Sequence, residues 1–163
     1  MLIWLPLILA ALVLLLFIVG QIGLLKSHAP DDLGVHDGRL KSPSSTENSV
    51  TSQAGLYPDH PLHDYNSIEP IVLLDGDHDG ISTLARIAEA IANMENAEVV
   101  THEGDYLHAE FTSKRLKFID DAEFWYDPEL KVIQVRSAAR LGRKDFGMNR
   151  QHIETVRVAL SKS

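Results

Sequence analysis

Within the run Tyr106-Leu107-His108-Ala109-Glu110-Phe111-Thr112, polar and apolar side chains alternate, and Asp121-Ala122-Glu123-Phe124 and Ile133-Gln134-Val135-Arg136 repeat the pattern. Successive side chains of an extended strand point to opposite faces. One face therefore takes Leu107, Ala109, Phe111, Ala122, Phe124, Ile133 and Val135, and the other takes His108, Glu110, Asp121, Glu123 and Arg136. Carboxylates crowded beside a histidine and an arginine can bind a metal, shift one another's pKa for acid–base work, or hold a polar ligand. They can equally form cross-strand salt bridges on a solvated face, each contributing ~0.2–1 kcal/mol. Arg140, Asn149 and Arg150 follow the last of these runs and complete the candidate ligand-binding set. Asp120 differs from its neighbour Asp121. Its parity sends it to the apolar face, where an acid without donors costs several kcal/mol. Arg140 or Asn149 is its expected partner, and the expected division is a structural Asp120 beside a functional Asp121.

Other motifs carry less chemistry. Asp75-Gly76-Asp77-His78-Asp79-Gly80 imitates the opening of a calcium-binding EF-hand loop, but Arg86 stands where the loop needs its bidentate glutamate. His60 and His63 form a His-x-x-His on a Pro-bounded loop with no second pair, too little to hold zinc. The absence of cysteine excludes a disulfide, a thiolate nucleophile and a Cys-bound metal. No metal and no cofactor is expected. Charge is uneven: residues 26–110 hold 16 acids against 4 bases, and residues 111–163 hold 7 acids against 11 bases. Nucleic-acid binding needs a concentrated basic face with stacking aromatics, and this pattern predicts none.

The elements that must position these residues follow from periodicity. Ile71-Val72-Leu73-Leu74 suits a short strand, and Asp79 or Ser82 can cap a helix with Leu84, Ile87, Ala88 and Ile91 on one stripe. Ala97–Thr101 and Tyr106–Ser113 form strands around Glu103-Gly104-Asp105, and Ile119–Tyr126 and Lys131–Ala138 form strands around Asp127-Pro128-Glu129. A last helix is expected over Asp145–Leu160, buried through Ile153, Val156 and Leu160. These elements predict an α+β domain over residues 67–163. About four antiparallel strands carry two helices packed on one face, and the polar cluster lies on the helix-free face. Residues 26–66, rich in Pro, Gly and Ser, read as an irregular tether, either free or lying across the domain.

Residues 1–25 carry no charged side chain, enough at ~1.5 Å per residue to cross a ~30 Å hydrocarbon core as a helix. Nothing basic precedes Leu2 and no Ala-x-Ala site follows, so the segment reads as a retained anchor in a lipid bilayer rather than a cleaved signal.

Tyr106–Ser113, Phe118–Phe124, Val135–Gly142 and Asp145–Arg150, in that order, resemble the bacterial and plastid family called domain of unknown function 1499, from about Gly34 to Leu160. The resemblance implies no activity. It implies an N-terminal signal or membrane segment, and a cysteine pair where this chain has Ser42 and Ser49. Ala139, where the family favours serine, and Arg143-Lys144, in place of an aromatic–Ser pair, also depart from its pattern. The expected protein is single-pass, with its soluble domain on the extracytoplasmic side as the exported relatives imply. It is expected to be a non-catalytic binding or accessory module of the cell envelope, taking a small polar ligand or an envelope protein on the polar sheet face. The alternative is a hydrolytic or metal-assisted enzyme using Asp121, Glu123 and His108.

Overall fold

The computed structural model describes residues 4–23 and 27–161. Helix α1 (Trp4–Gln21) is the one described helix long and apolar enough to cross a membrane, with a mean hydropathy of 2.4. Nearly all its side chains are exposed, so its apolar surface is not spent on a protein core. Residues 1–3 and 24–25, expected to belong to the same helix, lie outside the described residues.

The remaining elements are β1 (Ser49–Thr51), α2 (His63–Asn66), β2 (Ile71–Val72), α3 (Ile81–Ala92), β3 (Ala97–Glu103), β4 (Tyr106–Thr112), β5 (Ile119–Asp127), β6 (Val132–Ala139) and α4 (Met148–Leu160). The strands form one antiparallel sheet in the order β1-β6-β5-β4-β3. Short β2 pairs with Val132 and Ile133 on the same edge of β6 that β1 pairs with at Arg136 to Ala138. Leu84, Ile87 and Ile91 of α3 and Ile153 and Val156 of α4 pack on Leu107, Ala109, Phe124, Ile133 and Val135 of the sheet. Each of these ten side chains is fully buried, and burial of a side chain of this size contributes ~1.5–3 kcal/mol. The α+β class and the face assignment therefore follow the alternation in the sequence.

The sheet has six strands rather than about four. The two extra strands are three and two residues long, too short for a period-two pattern to register. One of them, β1, comes from residues 26–66. That segment is not a free tether throughout: Val50 joins the core, Leu40 and Ala54 are buried, and α2 adds a helical turn. Helix α4 begins at Met148, not Asp145. Asp145 lies before it and accepts hydrogen bonds from the Gly147 and Asn149 amides, satisfying donors that a helix start leaves open. At the other helix, Asp79 accepts from Ile81, while Asp77 accepts from the Gly80 and Thr83 amides and the Thr83 hydroxyl. Gly80 between them has φ +76°, and a side chain there would overlap the Tyr126 ring.

Candidate functional site

Strand register gathers the polar candidates. His108 lies opposite Glu123, Glu110 opposite Asp121, and Glu123 opposite Arg136. His108 Nε2 is 2.8 Å from Asp121 Oδ1, and the Arg140 guanidinium donates to both Asp121 oxygens, at 2.8 and 2.7 Å, and to Glu110. Glu123 accepts from Arg136 at 3.2 Å, from the Tyr106 hydroxyl at 2.9 Å and from the Gly34 amide at 2.7 Å. The expected solvated face is in fact covered: Asp121 and Glu123 are 1% and 0% exposed, and His108 and Arg136 are buried too. The cover is the chain leading into β1. Gly34 binds Glu123, the Ser27 carbonyl accepts from Arg140, and Leu40 is held through its amide by Gln53. Ser49, one of two serines standing where the resemblance implies cysteines, accepts from the Ser44 amide and ties the same segment down.

Electrostatics explains why this charge tolerates burial. Desolvation raises the pKa of Asp121, but hydrogen bonds from Arg140 and His108 outweigh it and hold the carboxyl below its ordinary value. The Asp121 hydrogen bond in turn raises the pKa of Arg140, against the desolvation that would lower it. Burial and the Glu123 carboxylate push the Tyr106 phenol upward. His108, Glu110 and Asp121 bring ligand atoms within 4.8 Å of one another, a spacing that suits a metal. The Arg140 guanidinium bonds two of the three, however, so a fixed cation already bridges Glu110 and Asp121. A cleft of about 270 Å³ between Pro30, residues 41–44 and the sheet reaches Asp121, Arg136 and Arg140. Among the described residues, Arg136 Nε is the cluster's one fully buried side-chain atom without a hydrogen-bond partner.

Arg140, expected beside Asp120, bonds Asp121 instead. Asn149 binds Ser137, Asp145 and the Asn48 carbonyl, and Arg150 donates to the Tyr65 and Ser67 carbonyls, so neither joins the polar face. The expected division between the two aspartates is reversed in burial and bonding: Asp121 is the structurally engaged one. The His60–His63 pair does not converge either. His60 Nδ1 accepts from the Leu62 amide, and His63 faces Asp64.

Asp120 points to the helical side, where it faces His152 of α4 at 3.6 Å, too far for a hydrogen bond. His152 Nδ1 is buried with no partner among the described residues, and its ring stacks on Phe111 with centroids 4.3 Å apart. Burial, then the charges of Asp145 and Asp121, raise the Asp120 pKa to about 6. Burial lowers that of His152 to about 4, against the opposing charge of Asp145. The two residues line a cavity of about 560 Å³, walled by Met94, Ala97, Phe111, Met148 and Thr155 and edged by Glu95, Lys114 and Gln151. Sequence reasoning missed His152. The signal available was Gln151-His152-Ile153, a histidine beside the buried stripe of α4.

The sequence model of the family described as "protein of unknown function (DUF1499)" matches residues 39–160. The chain belongs to this family. The DUF1499 segment takes in the whole sheet, α2, α3, α4, the polar cluster and the His152 cavity, and leaves out α1 and residues 27–38 of the cover. No curated protein and no solved structure matches the chain.

Proposed function

We propose that this DUF1499 protein is a membrane-anchored, non-catalytic binding module whose ligand lies in the cavity between α4, β4 and the turn before β3. The observation that carries it is a half-buried acid–histidine pair whose buried His152 Nδ1 is unsatisfied, in a largely apolar cavity of about 560 Å³. Buried polar atoms are nearly always paired, and an apolar cavity with a few convergent polar groups is the usual form of a ligand site. The ligand that fits is a small amphiphile. It offers a hydroxyl or amine donor to Asp120 and His152, and its apolar body packs on Phe111, Met94 and Met148. The polar face is a poor rival, since its carboxylates already hold Arg136, Arg140, His108 and Tyr106. The same occupancy argues against hydrolysis by Asp121, Glu123 and His108, because the atoms that would act on a substrate are already engaged in hydrogen bonds to one another and to Arg136, Arg140 and Tyr106. Helix α1 anchors the chain, and the domain sits on the extracytoplasmic side, as the exported relatives implied by the resemblance suggest.

Hexylamine and hexanol are suitable matched probes for nuclear magnetic resonance titration of the full chain in nanodiscs. Saturable shifts are expected at Ala97, Phe111 and Thr155, with His152 moving most. The Ala97→Trp variant, which fills the cavity, should lose them. Shifts that persist in Ala97→Trp, or none at all in the parent protein, would remove the cavity from consideration. A carboxy-terminal alkaline phosphatase fusion tests the side, and an inactive fusion overturns it.

A further inference from the structure

One end of the sheet collects the turn from α3 into β3 (residues 93–96), the β4–β5 loop (113–118) and the segment from β6 to α4 (140–147). Helix α1 ends at this same place. Gln21 donates to the Arg115 carbonyl at 2.7 Å, and Gly20 sits so close to Leu116 that an added Cβ would lie 2.7 Å from its carbonyl oxygen. The chain beyond the helix re-enters here as well, with the Ser27 carbonyl accepting from Arg140 at 3.0 Å.

The residues at this end are basic and apolar together. Residues 113–118 contribute Lys114, Arg115 and Lys117 and no acid, and residues 140–147 add Arg143 and Lys144. Lys114 meets Glu95 and Lys144 meets Glu47 in exposed pairs, while no ion pair among the described residues engages Arg115, Lys117 or Arg143. Phe146 is 91% exposed, with Leu141 and Met148 partly exposed beside it in sequence. Phe146 also has φ +55°, a conformation rare for a bulky side chain. Asp145, bonded by Tyr65, Gly147 and Asn149, holds the chain on one side of it and α4 starts on the other. The fold thus fixes an aromatic side chain in solvent at some conformational expense, which its own core does not explain. The far end of the sheet is acidic, with Asp75, Asp79, Glu103, Asp105 and Glu129 on its turns.

We propose that this end is a bilayer-docking face: Phe146 and Leu141 enter the headgroup region while Arg115, Lys117 and Arg143 meet anionic lipid headgroups. The proposal rests on reading α1 as a retained anchor, because the face is continuous with the point where that helix meets the domain. Basic residues near an anionic leaflet and aromatics at headgroup depth are both stabilised there. The acidic end is then repelled, which sets one orientation of the domain.

The native chain lacks cysteine, so Leu141→Cys accepts a single spin label, and Glu129→Cys at the far end is its control. The full-length protein goes into nanodiscs of phosphatidylcholine, with or without phosphatidylglycerol. Accessibility to oxygen and to a water-soluble nickel chelate is then read. With phosphatidylglycerol, the label at 141 should be shielded from nickel and reached by oxygen, and the label at 129 should remain open to nickel. Each of Arg115→Gln, Lys117→Gln and Arg143→Gln should lower the docked population about fivefold, and Phe146→Ser about tenfold. An anchored protein whose 141 label is as open to nickel as the 129 label overturns docking alone. Equal shielding in both bilayers overturns the headgroup requirement. Protein recovered free of membranes after carbonate extraction overturns the anchor, and docking with it.

Discussion

Asp120 and Asp121 are neighbours in the chain, each faces a histidine, and their protons behave in opposite ways. Asp121 is 1% exposed yet held below its ordinary pKa, because Arg140 and His108 supply donors. Asp120 keeps more exposure but has no hydrogen-bond donor at His152, and its pKa rises to about 6. Donors, not depth, decide which carboxyl stays charged in a protein interior. The contrast also separates roles. The polar cluster, satisfied apart from Arg136 Nε, binds the cover segment to the sheet, whereas the unsatisfied His152 beside the cavity is the atom that the proposed ligand would engage.

The largest test of this contrast is Asp121→Ala. It leaves Arg140 buried with only Glu110 opposite and His108 without its acceptor, so a loss of about 3–5 kcal/mol is expected in thermal or denaturant melts. A loss no larger than that of an exposed pair would show that the cluster is dispensable.

Asp120→Asn should act in the other direction. The folded pKa of about 6 lies above the ordinary value of 3.8, so between these values the native state holds more protons than the unfolded state and stability falls as pH rises. Removing the charge should therefore stabilise the protein by about 1–3 kcal/mol at pH near 7.5. The gain should vanish below pH about 4. His152 has the opposite sign: its folded pKa of about 4 lies below its ordinary value of 6.5. The unfolded state holds more protons between those values, and stability rises with pH. The two slopes offset each other in the parent protein, and Asp120→Asn should expose the His152 slope. Urea titrations across that range check it, and a flat profile in the variant would mean that His152 keeps its ordinary proton affinity.

The smallest effect belongs to Asp77, an acid that backbone donors satisfy without any cation. Burial raises its pKa, and hydrogen bonds from Thr83, Asp79 and Gly80 outweigh that and lower it. Asp77→Ala should cost about 1 kcal/mol, as loss of a helix cap does. Calorimetric titration of the parent with calcium should show nothing tighter than ~1 mM. A micromolar isotherm would place Asp77 with ligand-binding carboxylates instead of with Asp121.

Local pattern alone determined the long elements and the side-chain parity. Alternation in β4, β5 and β6 put Leu107, Phe124 and Val135 on one face and His108, Asp121 and Arg136 on the other, because a strand has a fixed period of two. The helical stripes of α3 and α4 and the apolar run of α1 were legible for the same reason. Tertiary structure alone decided what covers the polar face. Residues 27–44 have no period, and the bonds that hold them there, Gly34 to Glu123 and Ser27 to Arg140, span 89 and 113 positions in the sequence. It also decided that His152 meets Asp120, since a helix residue beside the core stripe can turn toward the core or toward solvent. That choice was made by the stacking of its ring on Phe111, a residue 41 positions earlier in the chain.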